Sequence, residues 1–259
     1  MKIENILIIP DKDNIEESLR LAEEYNCGFE YNDFFLPEVL DDKERLKKTI
    51  DFYKGIDALP TYCTSHGAFF DVTVFSDDAR IKEVSDYRVE QSLDIAEELG
   101  AQAVIFHTNY VPNFKLESYQ KGFVERNYDY WTSKLEKHSN INIYMENMFD
   151  TDCTLLALLA ERMKDNQHFG VCFDYAHAHV FGESDEIEHW VKNLAPYVRH
   201  MHINDNDFIS DLHLAVGEGK IDWKCFSKYY DKYFPKASVL IETREMEKIK
   251  KSLEYIRCL

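Results

Sequence analysis

The chain has 259 residues, and its 48 acidic residues against 30 lysines and arginines give a formal net charge of −18 at pH 7. A surface this acidic repels phosphate backbones and anionic membranes at long range, so the composition argues against nucleic acid as a partner. The chain is 45% hydrophobic and 14% aromatic, as in ordinary globular proteins. It has no apolar run close to the roughly 18–20 residues that cross a bilayer.

The six cysteines are scattered, and no two have the spacing of a CxxC motif. We expect free thiols with structural roles, because a reduced cysteine in an apolar run behaves as a small hydrophobic residue. The first ten residues contain one lysine and lead into an acidic segment, which differs from a signal peptide. These features predict a cytoplasmic protein without a membrane segment.

Strand-like and helix-like segments alternate from the start of the chain. Residues 6–9 form a short apolar run bounded by Pro10, the pattern of a strand buried on both faces. Asn14 can cap a helix over residues 15–25. Residues 28–31 form a weaker second strand, and an acidic, aromatic loop follows it.

The same alternation continues to the end of the chain. Further strands are predicted at 61–65, 103–106, 141–145, 169–173, 198–201 and 238–241. Further helices are predicted at 42–56, 84–99, 116–137, 154–163, 186–194, 223–233 and 246–257. Eight strand–helix units in a chain of this length predict an α/β fold, the (β/α)8 TIM barrel. No composition shift or linker divides the chain, so we expect a single domain over residues 1–259.

Most of the predicted strands end at a residue type that commonly binds metal ions. These residues are His66, His107, Glu146, Asp174, His202 and Glu242. In a TIM barrel the C-terminal ends of the strands open onto one face, and that face holds the active site. We therefore expect the six side chains to surround a single mouth.

Three further residues of this kind follow strands six and seven: His177, Asp211 and His213. Mixed imidazole and carboxylate ligands suit Zn²⁺, Mn²⁺, Co²⁺ or Fe²⁺ rather than Ca²⁺ or Mg²⁺ alone. Unpaired acids and imidazoles in a mouth of low dielectric are costly without a cation. The sequence therefore predicts a divalent metal site at Glu146, Asp174, His202 and Glu242. The other five residues, which are His66, His107, His177, Asp211 and His213, are expected to contact metal or substrate.

Other features of the same strand ends carry weaker expectations. We expect His200 to lie on the opposite side of its strand from His202 and not to be a ligand. Residues 217–220 are glycine-rich but lack the spacing of a P-loop, so we expect a plain turn. Aromatic residues near strand ends could line a pocket or pack in the core; they are Phe34, Phe35, Phe69, Phe70 and Tyr175.

Taken in order, the strand-end motifs resemble a known family. They are Ser65-His66-Gly67, Val104-Ile105-Phe106-His107, Tyr144-Met145-Glu146-Asn147, Phe173-Asp174-Tyr175-Ala176-His177, His200-Met201-His202-Ile203-Asn204-Asp205, His213 with Gly217-Glu218-Gly219-Lys220-Ile221-Asp222, and Ile241-Glu242. The set is similar to the xylose isomerase-like TIM-barrel superfamily. That superfamily unites sugar and sugar-phosphate isomerases and epimerases with the endonuclease IV enzymes (AP endonuclease family 2). Each motif alone is unspecific, but the ordered set covers nearly the whole chain.

The two branches of the superfamily imply different uses of these residues. The isomerase and epimerase branch implies one divalent ion at Glu146, Asp174, His202 and Glu242. There the two glutamates also transfer the proton. For such an enzyme we expect His177 or His213 to steady a substrate oxygen. The endonuclease branch implies three zinc ions, held by His66, His107, Glu146, Asp174, His177, His202, Asp211, His213 and Glu242.

The acidic charge favours the first branch. We therefore predict a metal-dependent isomerase or epimerase of a small sugar, sugar phosphate or polyol, acting by proton transfer through a metal-stabilised enediolate. Residues 204–211 contain no arginine, although some epimerases place one there, so recognition of a phosphate or keto group is left open. The fold is also compatible with a homo-oligomer.

The alternative is an endonuclease IV-like phosphoesterase with a trinuclear zinc site, acting on DNA or a smaller phosphoester. The Asp211-x-His213 pair favours it, because an extra carboxylate and imidazole suit additional ions. One ion is expected in the first case and up to three in the second.

Overall fold

A computed structural model describes residues 1–69, 71–183 and 187–259. Eight parallel strands close into one barrel in chain order, and β1 pairs with β8 to complete it. The strands are β1 (Ile6–Ile8), β2 (Cys27–Tyr31), β3 (Cys63–His66), β4 (Ala103–His107), β5 (Asn142–Glu146), β6 (Phe169–Asp174), β7 (Val198–Ile203) and β8 (Ser238–Ile241). The predicted (β/α)8 barrel is confirmed.

The helices surround this barrel. They are α1 (Ile15–Tyr25), α2 (Pro37–Leu40), α3 (Lys43–Lys54), α4 (Ala79–Leu99), α5 (Glu117–Lys137), α6 (Thr154–Arg162), α7 (Tyr175–Phe181), α8 (Ile187–Leu194), α9 (Trp223–Tyr233) and α10 (Met246–Arg257), with a 3₁₀ turn at Lys12–Asn14. Each long helix buries one face against the strands, as α10 does through Ile249, Leu253 and Ile256. This three- and four-residue spacing places apolar side chains on one side of a helix.

Many predicted boundaries are off by one or two residues, and three helices differ more. Helix α4 begins at Ala79, five residues before the predicted start, because the Asp78 carboxylate accepts from the N–H groups of Arg80 and Ile81 and caps the helix there. Helices α2 and α7 are absent from the prediction, and both are too short to show a clear periodicity. The predicted helix 186–194 corresponds to α8, although Glu186 itself lies outside the described residues.

Two expectations about the chain as a whole can be compared with the structure. All six cysteines are free thiols, as expected, and four of them are buried. Among the described residues, no helix combines the length and the apolar character that a bilayer span requires.

The long segment between β7 and α9 is held by a single buried carboxylate. Asp205 is fully buried, and its two oxygens accept from the N–H groups of Gly217 (2.9 Å) and Ile221 (3.1 Å) and from the indole N–H of Trp223 (2.7 Å). The glycine-rich residues 217–220 thus form a turn around Asp205, as expected, and its Gly217 amide binds this carboxylate rather than a phosphate. The turn closes the loop that carries Asp211 and His213.

The close approach of Gly219 to Asp205 predicts that a side chain at position 219 destabilises the fold. A Cβ at Gly219 would lie 2.3 Å from Asp205 Oδ1 and 2.4 Å from the Asn206 carbonyl oxygen. We expect Gly219→Ala to lower the free energy of unfolding by about 1–3 kcal/mol, as overpacking does elsewhere. Urea denaturation measures the change.

Gly55→Ala is the matched control, because a Cβ there meets carbonyl oxygens only at 3.3 and 3.4 Å. Equal stability of the Gly219 variant and the wild-type protein would contradict this account of the turn.

Candidate metal centre

Glu146 lies at the centre of the barrel mouth, at the end of β5, and is fully buried. Its Oε2 atom lies 3.1 Å from His107 Nε2 and 3.6 Å from His66 Nε2. Its Oε1 atom lies 3.1 Å from His202 Nδ1 and 3.6 Å from His177 Nδ1. One carboxylate therefore faces four imidazoles: those of His66, His107 and His202 on β3, β4 and β7, and that of His177 on α7, just after β6.

The strand register explains why these side chains meet. His107 on β4 is directly paired with Glu146 on β5, and Asp174 on β6 is paired with His202 on β7. Paired residues on neighbouring parallel strands point to the same side of the sheet. In a closed barrel that side is the interior.

A first group of ligand-type atoms consists of His66, His107 and Glu146, whose ligand atoms lie within 4.8 Å of one another. His66 Nδ1 lies 2.9 Å from the Gly67 carbonyl oxygen, which can only accept. His66 Nδ1 therefore donates to this carbonyl oxygen, and Nε2 is the nitrogen that faces Glu146 and is left for a metal ion.

A second group consists of Glu146, Asp174 and Glu242, together with His202. His202 Nδ1 lies 3.1 Å from Glu146 Oε1 and 3.6 Å from Glu242 Oε1. Asn147 fixes Asp174 in place, since its side chain accepts from the Asp174 N–H (2.9 Å) and donates to the Asp174 carbonyl oxygen (2.8 Å). Three carboxylates and one imidazole thus converge at the base of the mouth.

A third group consists of His177, Asp211 and His213, again within 4.8 Å of one another. Asp211 Oδ2 lies 3.0 Å from His213 Nε2 and 3.4 Å from His177 Nε2. His213 Nδ1 lies 2.6 Å from the Glu242 carbonyl oxygen and donates to it, so Nε2 is the nitrogen that faces Asp211 and is left for a metal ion. His213 has a φ of 45°, a strained conformation of the kind that clusters at functional sites.

His177 lies close to both the second and the third group, and its hydrogen bonds assign it to the third. Its Nδ1 atom approaches Asp174 Oδ2, at 3.5 Å. That nitrogen lies closer, at 3.0 Å, to the carbonyl oxygen of Asn147 and donates to it. Nε2 is therefore the nitrogen of His177 that is left for a metal ion, and it points to Asp211.

Carboxylate and imidazole atoms without hydrogen-bond partners show that this donor set fits metal ions. Among the described residues, buried atoms that lack such a partner include Glu146 Oε2, Asp174 Oδ2, Asp211 Oδ1 and Glu242 Oε2. Buried carboxylate oxygens are costly unless they are paired or coordinate a metal. Four acids and five imidazoles in three groups form a suitable set for zinc or a similar divalent ion.

The ionisation of the site shows the same demand for positive charge. Burial raises the pKa of Asp174 well above its usual range. Burial acts in the same direction on Glu146, but the charges and hydrogen bonds of His202 and His107 together outweigh it and hold the Glu146 pKa well below normal. At His213 burial lowers the pKa, yet the hydrogen bond to Asp211 contributes to raising it to about 9. The carboxylates therefore stabilise protonated imidazoles, and the protons on those imidazoles must leave when a metal ion binds.

A cavity of about 450 Å³ lies directly above these groups. Phe35 and Phe69 form part of its wall, with ring centroids 5.0 Å apart, and Arg244 and Lys248 lie at its edge. Phe34 and Tyr175 instead pack in the core, and Phe70 lies outside the described residues. Of the aromatic residues that could line a pocket or pack in the core, Phe35 and Phe69 thus line the cavity, whereas Phe34 and Tyr175 pack in the core.

The expectation that His200 points to the opposite side of its strand from His202 is wrong. Side chains two positions apart on a strand point to the same side, so His200 and His202 both point into the barrel. Their ring centroids are 5.1 Å apart, and His200 is fully buried. It lies one layer below His202 and contacts Glu30 and Ser238 rather than the cavity.

Glu30, Asn147 and Asp205 contribute to the site although the sequence pattern does not single them out. A signal existed for Glu30, because an acid within a fully buried strand needs buried partners. Asn147 and Asp205 act through backbone groups, which leave no distinctive sequence pattern.

The chain is similar to proteins of one family along most of its length. The sequence model of a family described as xylose isomerase-like TIM barrel matches residues 19–259. A probable endonuclease 4 of Mycobacterium leprae is 26% identical over 202 residues, which cover 72% of this chain and 71% of that protein. An uncharacterised protein of Methanocaldococcus jannaschii is 26% identical over 167 residues; the match covers 61% of this chain and spans only 56% of that protein.

Two solved structures have the same fold. A Thermus thermophilus protein, studied after soaking with zinc chloride, has a TM-score of 0.75 and 22% identity, with 99% of this chain and 97% of that one covered. A D-tagatose 3-epimerase-like protein has a TM-score of 0.73 and 19% identity, with 97% and 95% covered. At these identities the likeness shows the fold alone.

The sharing of Glu146 between two groups predicts unequal losses of metal. Protein purified without chelator should contain about three ions per chain if each group holds one. Asp211→Asn should lower the content by about one ion, and Glu146→Gln by about two, because Glu146 serves two groups. Elemental analysis after gel filtration measures the content.

Asp207→Asn is the control, because Asp207 lies in the same loop but its carboxylate accepts only from nearby backbone N–H groups, those of Ile209 and Ser210. If Asp211→Asn and Asp207→Asn retain the same metal content, the third group does not bind an ion.

Proposed function

Because the chain belongs to the xylose isomerase-like TIM-barrel family, we propose that it is a divalent-metal-dependent phosphoester hydrolase with three ion positions. The observation that carries the proposal is the third ligand group, His177, Asp211 and His213. An isomerase with one ion needs only the second group. A one-ion isomerase can use His177 against a substrate oxygen, but it does not need Asp211 and His213 beside it, and the three residues together complete a site for several ions.

The chemistry of such a site is well suited to phosphoesters. Divalent ions in neighbouring positions act as Lewis acids on a phosphoryl oxygen and favour in-line displacement of the leaving group. The chain itself supplies the orientation of the ligands, through the carbonyl oxygens of Gly67, Asn147 and Glu242. It also supplies the cavity above these ligands, in which a small substrate can lie.

Two cations at the edge of the cavity support an anionic substrate. The Arg244 guanidinium carbon lies 5.5 Å from the centre of the Phe35 ring, which holds the side chain over the cavity. Lys248 Nζ lies 3.4 Å from the His213 carbonyl oxygen. A guanidinium can bind two phosphate oxygens at once, and Arg244 supplies the cation that residues 204–211 lack.

The substrate that best fits this mouth is a small phosphoester rather than duplex DNA. The relative from Mycobacterium leprae is described as a probable endonuclease 4, which supports phosphoester chemistry. A DNA-binding surface neutralises many phosphates, whereas this chain has a net charge of −18. The cavity of about 450 Å³ lies within the range of ordinary small-molecule sites.

A second candidate is the isomerase or epimerase predicted from the sequence. It is favoured by the positions of Glu146 and Glu242, whose Oε1 atoms lie 3.1 and 3.6 Å from the same His202 nitrogen. Two carboxylates that face one position could remove and return a proton at a substrate carbon, with His177 against a substrate oxygen. The similarity in fold to a D-tagatose 3-epimerase-like protein agrees with this candidate.

The remaining expectations stay proposals. The six free thiols support a cytoplasmic location, since reducing compartments keep cysteines unpaired. The size of the cavity supports a small-molecule substrate. Light scattering tests whether the barrel forms a homo-oligomer.

Hydrolysis of chromogenic phosphate esters tests the proposed function and the role of Arg244. The zinc- or manganese-loaded protein should cleave p-nitrophenyl phosphate or its diester. Arg244→Gln should raise KM about tenfold with little change in kcat, because a charge-assisted hydrogen bond contributes roughly 1.5 kcal/mol. Asp211→Asn should lower kcat.

Arg20→Gln is the control, because Arg20 is an exposed arginine on α1 that pairs with Glu17 and Glu24. Absence of ester cleavage by a protein loaded with three ions would contradict the proposal. Epimerisation of a ketose by Asp211→Asn protein that retains one ion would instead support the second candidate.

A further inference from the structure

His202 differs from the other histidines of the site in which nitrogen faces the carboxylates. His66, His177 and His213 each place Nδ1 against a backbone carbonyl and so present Nε2. His202 is turned the other way, with Nδ1 toward Glu146 and Glu242. Its Nε2 atom points down into the barrel, away from the cavity, and lies 3.3 Å from Glu30.

Glu30 is a fully buried acid on β2 that the described chemistry of the mouth does not use. Its Oε2 atom accepts from the Thr64 hydroxyl at 2.7 Å and lies 3.2 Å from His200 Nε2. Its Oε1 atom lies 3.3 Å from His202 Nε2. Among the described residues, neither Glu30 Oε1 nor His202 Nε2 makes a hydrogen bond of good geometry; the Cys172 thiol also lies near His202, but a thiol is a weak acceptor. These two atoms are therefore each other's natural partners.

The layer around Glu30 is built to hold the carboxylate in one orientation. His200 Nδ1 lies 2.7 Å from the Ser238 hydroxyl, and the Tyr62 hydroxyl lies 3.2 Å from the same oxygen. The planes of His200 and His202 are nearly perpendicular, at 88°. Because Thr64 and His200 occupy Oε2, Oε1 is directed at His202.

We propose that Glu30 is the positioning residue of the metal position at His202. It accepts the Nε2 proton of His202, so that Nδ1 keeps its lone pair and points to the space between Glu146 and Glu242. At His66, His177 and His213 a backbone carbonyl plays this part: it accepts the Nδ1 proton and leaves Nε2 for the metal ion. The proposal rests on the proposed function only in requiring a metal ion at His202, whichever reaction follows.

The first test needs no substitution in this layer. In zinc-loaded protein with ¹⁵N-labelled histidine, NMR should show His202 with its proton on Nε2; the spectrum of His202→Gln identifies the signals. A proton on Nδ1 of His202 would overturn the proposal even if every variant below failed to fold.

The second test measures zinc affinity by competition with a chelator. Glu30→Gln keeps the shape of the side chain but removes the charge, and it should weaken one zinc ion about 10- to 100-fold, the usual effect of such partners. Glu30→Asp should weaken the same ion, because the shorter side chain withdraws from His202. Glu30→Asp also tests the proposal if Glu30→Gln does not fold.

Glu90→Gln is the matched control: it makes the same change at a carboxylate on α4 that pairs with Lys134 and Lys137, outside the mouth. Its zinc affinity at the mouth should stay within about threefold of the wild-type value, because Glu90 contacts none of the candidate metal ligands there. If a folded Glu30→Gln protein binds every ion as the wild type does, Glu30 has no positioning role.

The two proposals fail in different ways. If the wild-type protein binds a single ion and cleaves no ester, the phosphoester hydrolase is excluded, but the effect of Glu30→Gln on that ion is still measurable. If three ions bind and the ester is cleaved while Glu30→Gln changes no affinity, only the role of Glu30 is excluded.

Discussion

The site depends on one constraint: the Glu146 carboxylate is fully buried and lies among four imidazoles. A buried carboxylate needs positive charge close by, since water cannot solvate it. Each of its oxygens faces two histidines, of which three lie on different strands and one, His177, lies on α7. This carboxylate thereby joins the two halves of the mouth, and any cation that satisfies it is shared by neighbouring groups of ligands.

The orientation of the histidines then divides the mouth into separate positions. An imidazole offers one lone pair when neutral, and the partner of the other nitrogen decides which one. Carbonyl oxygens of Gly67, Asn147 and Glu242 set this choice at three histidines, and Glu30 is placed to set it at His202. Each ligand atom thus has a fixed direction. His177 separates the two candidate reactions, because with Asp211 it binds an ion in the hydrolase, whereas in the isomerase it contacts the substrate.

Much of this could be predicted from the sequence, because a strand that ends at a ligand-type residue leaves a local pattern. His66, His107, Glu146 and Asp174 are each the last residue of a strand, and the barrel topology brings them together. Glu30 and His200 lie inside strands, so only the three-dimensional register reveals that they share a layer. Helix α7 is seven residues long and begins at the cap that Asp174 provides, and so short a segment shows no helical periodicity.

The central claim is that the mouth holds three ions and that Glu146 belongs to two of the positions. An anomalous-difference map at the zinc absorption edge, from a zinc-loaded crystal, tests it most directly. The account predicts three peaks: one at His66, His107 and Glu146, one at Glu146, Asp174, His202 and Glu242, and one at His177, Asp211 and His213. A single peak at the second position, with His177 and His213 free of metal, would contradict it.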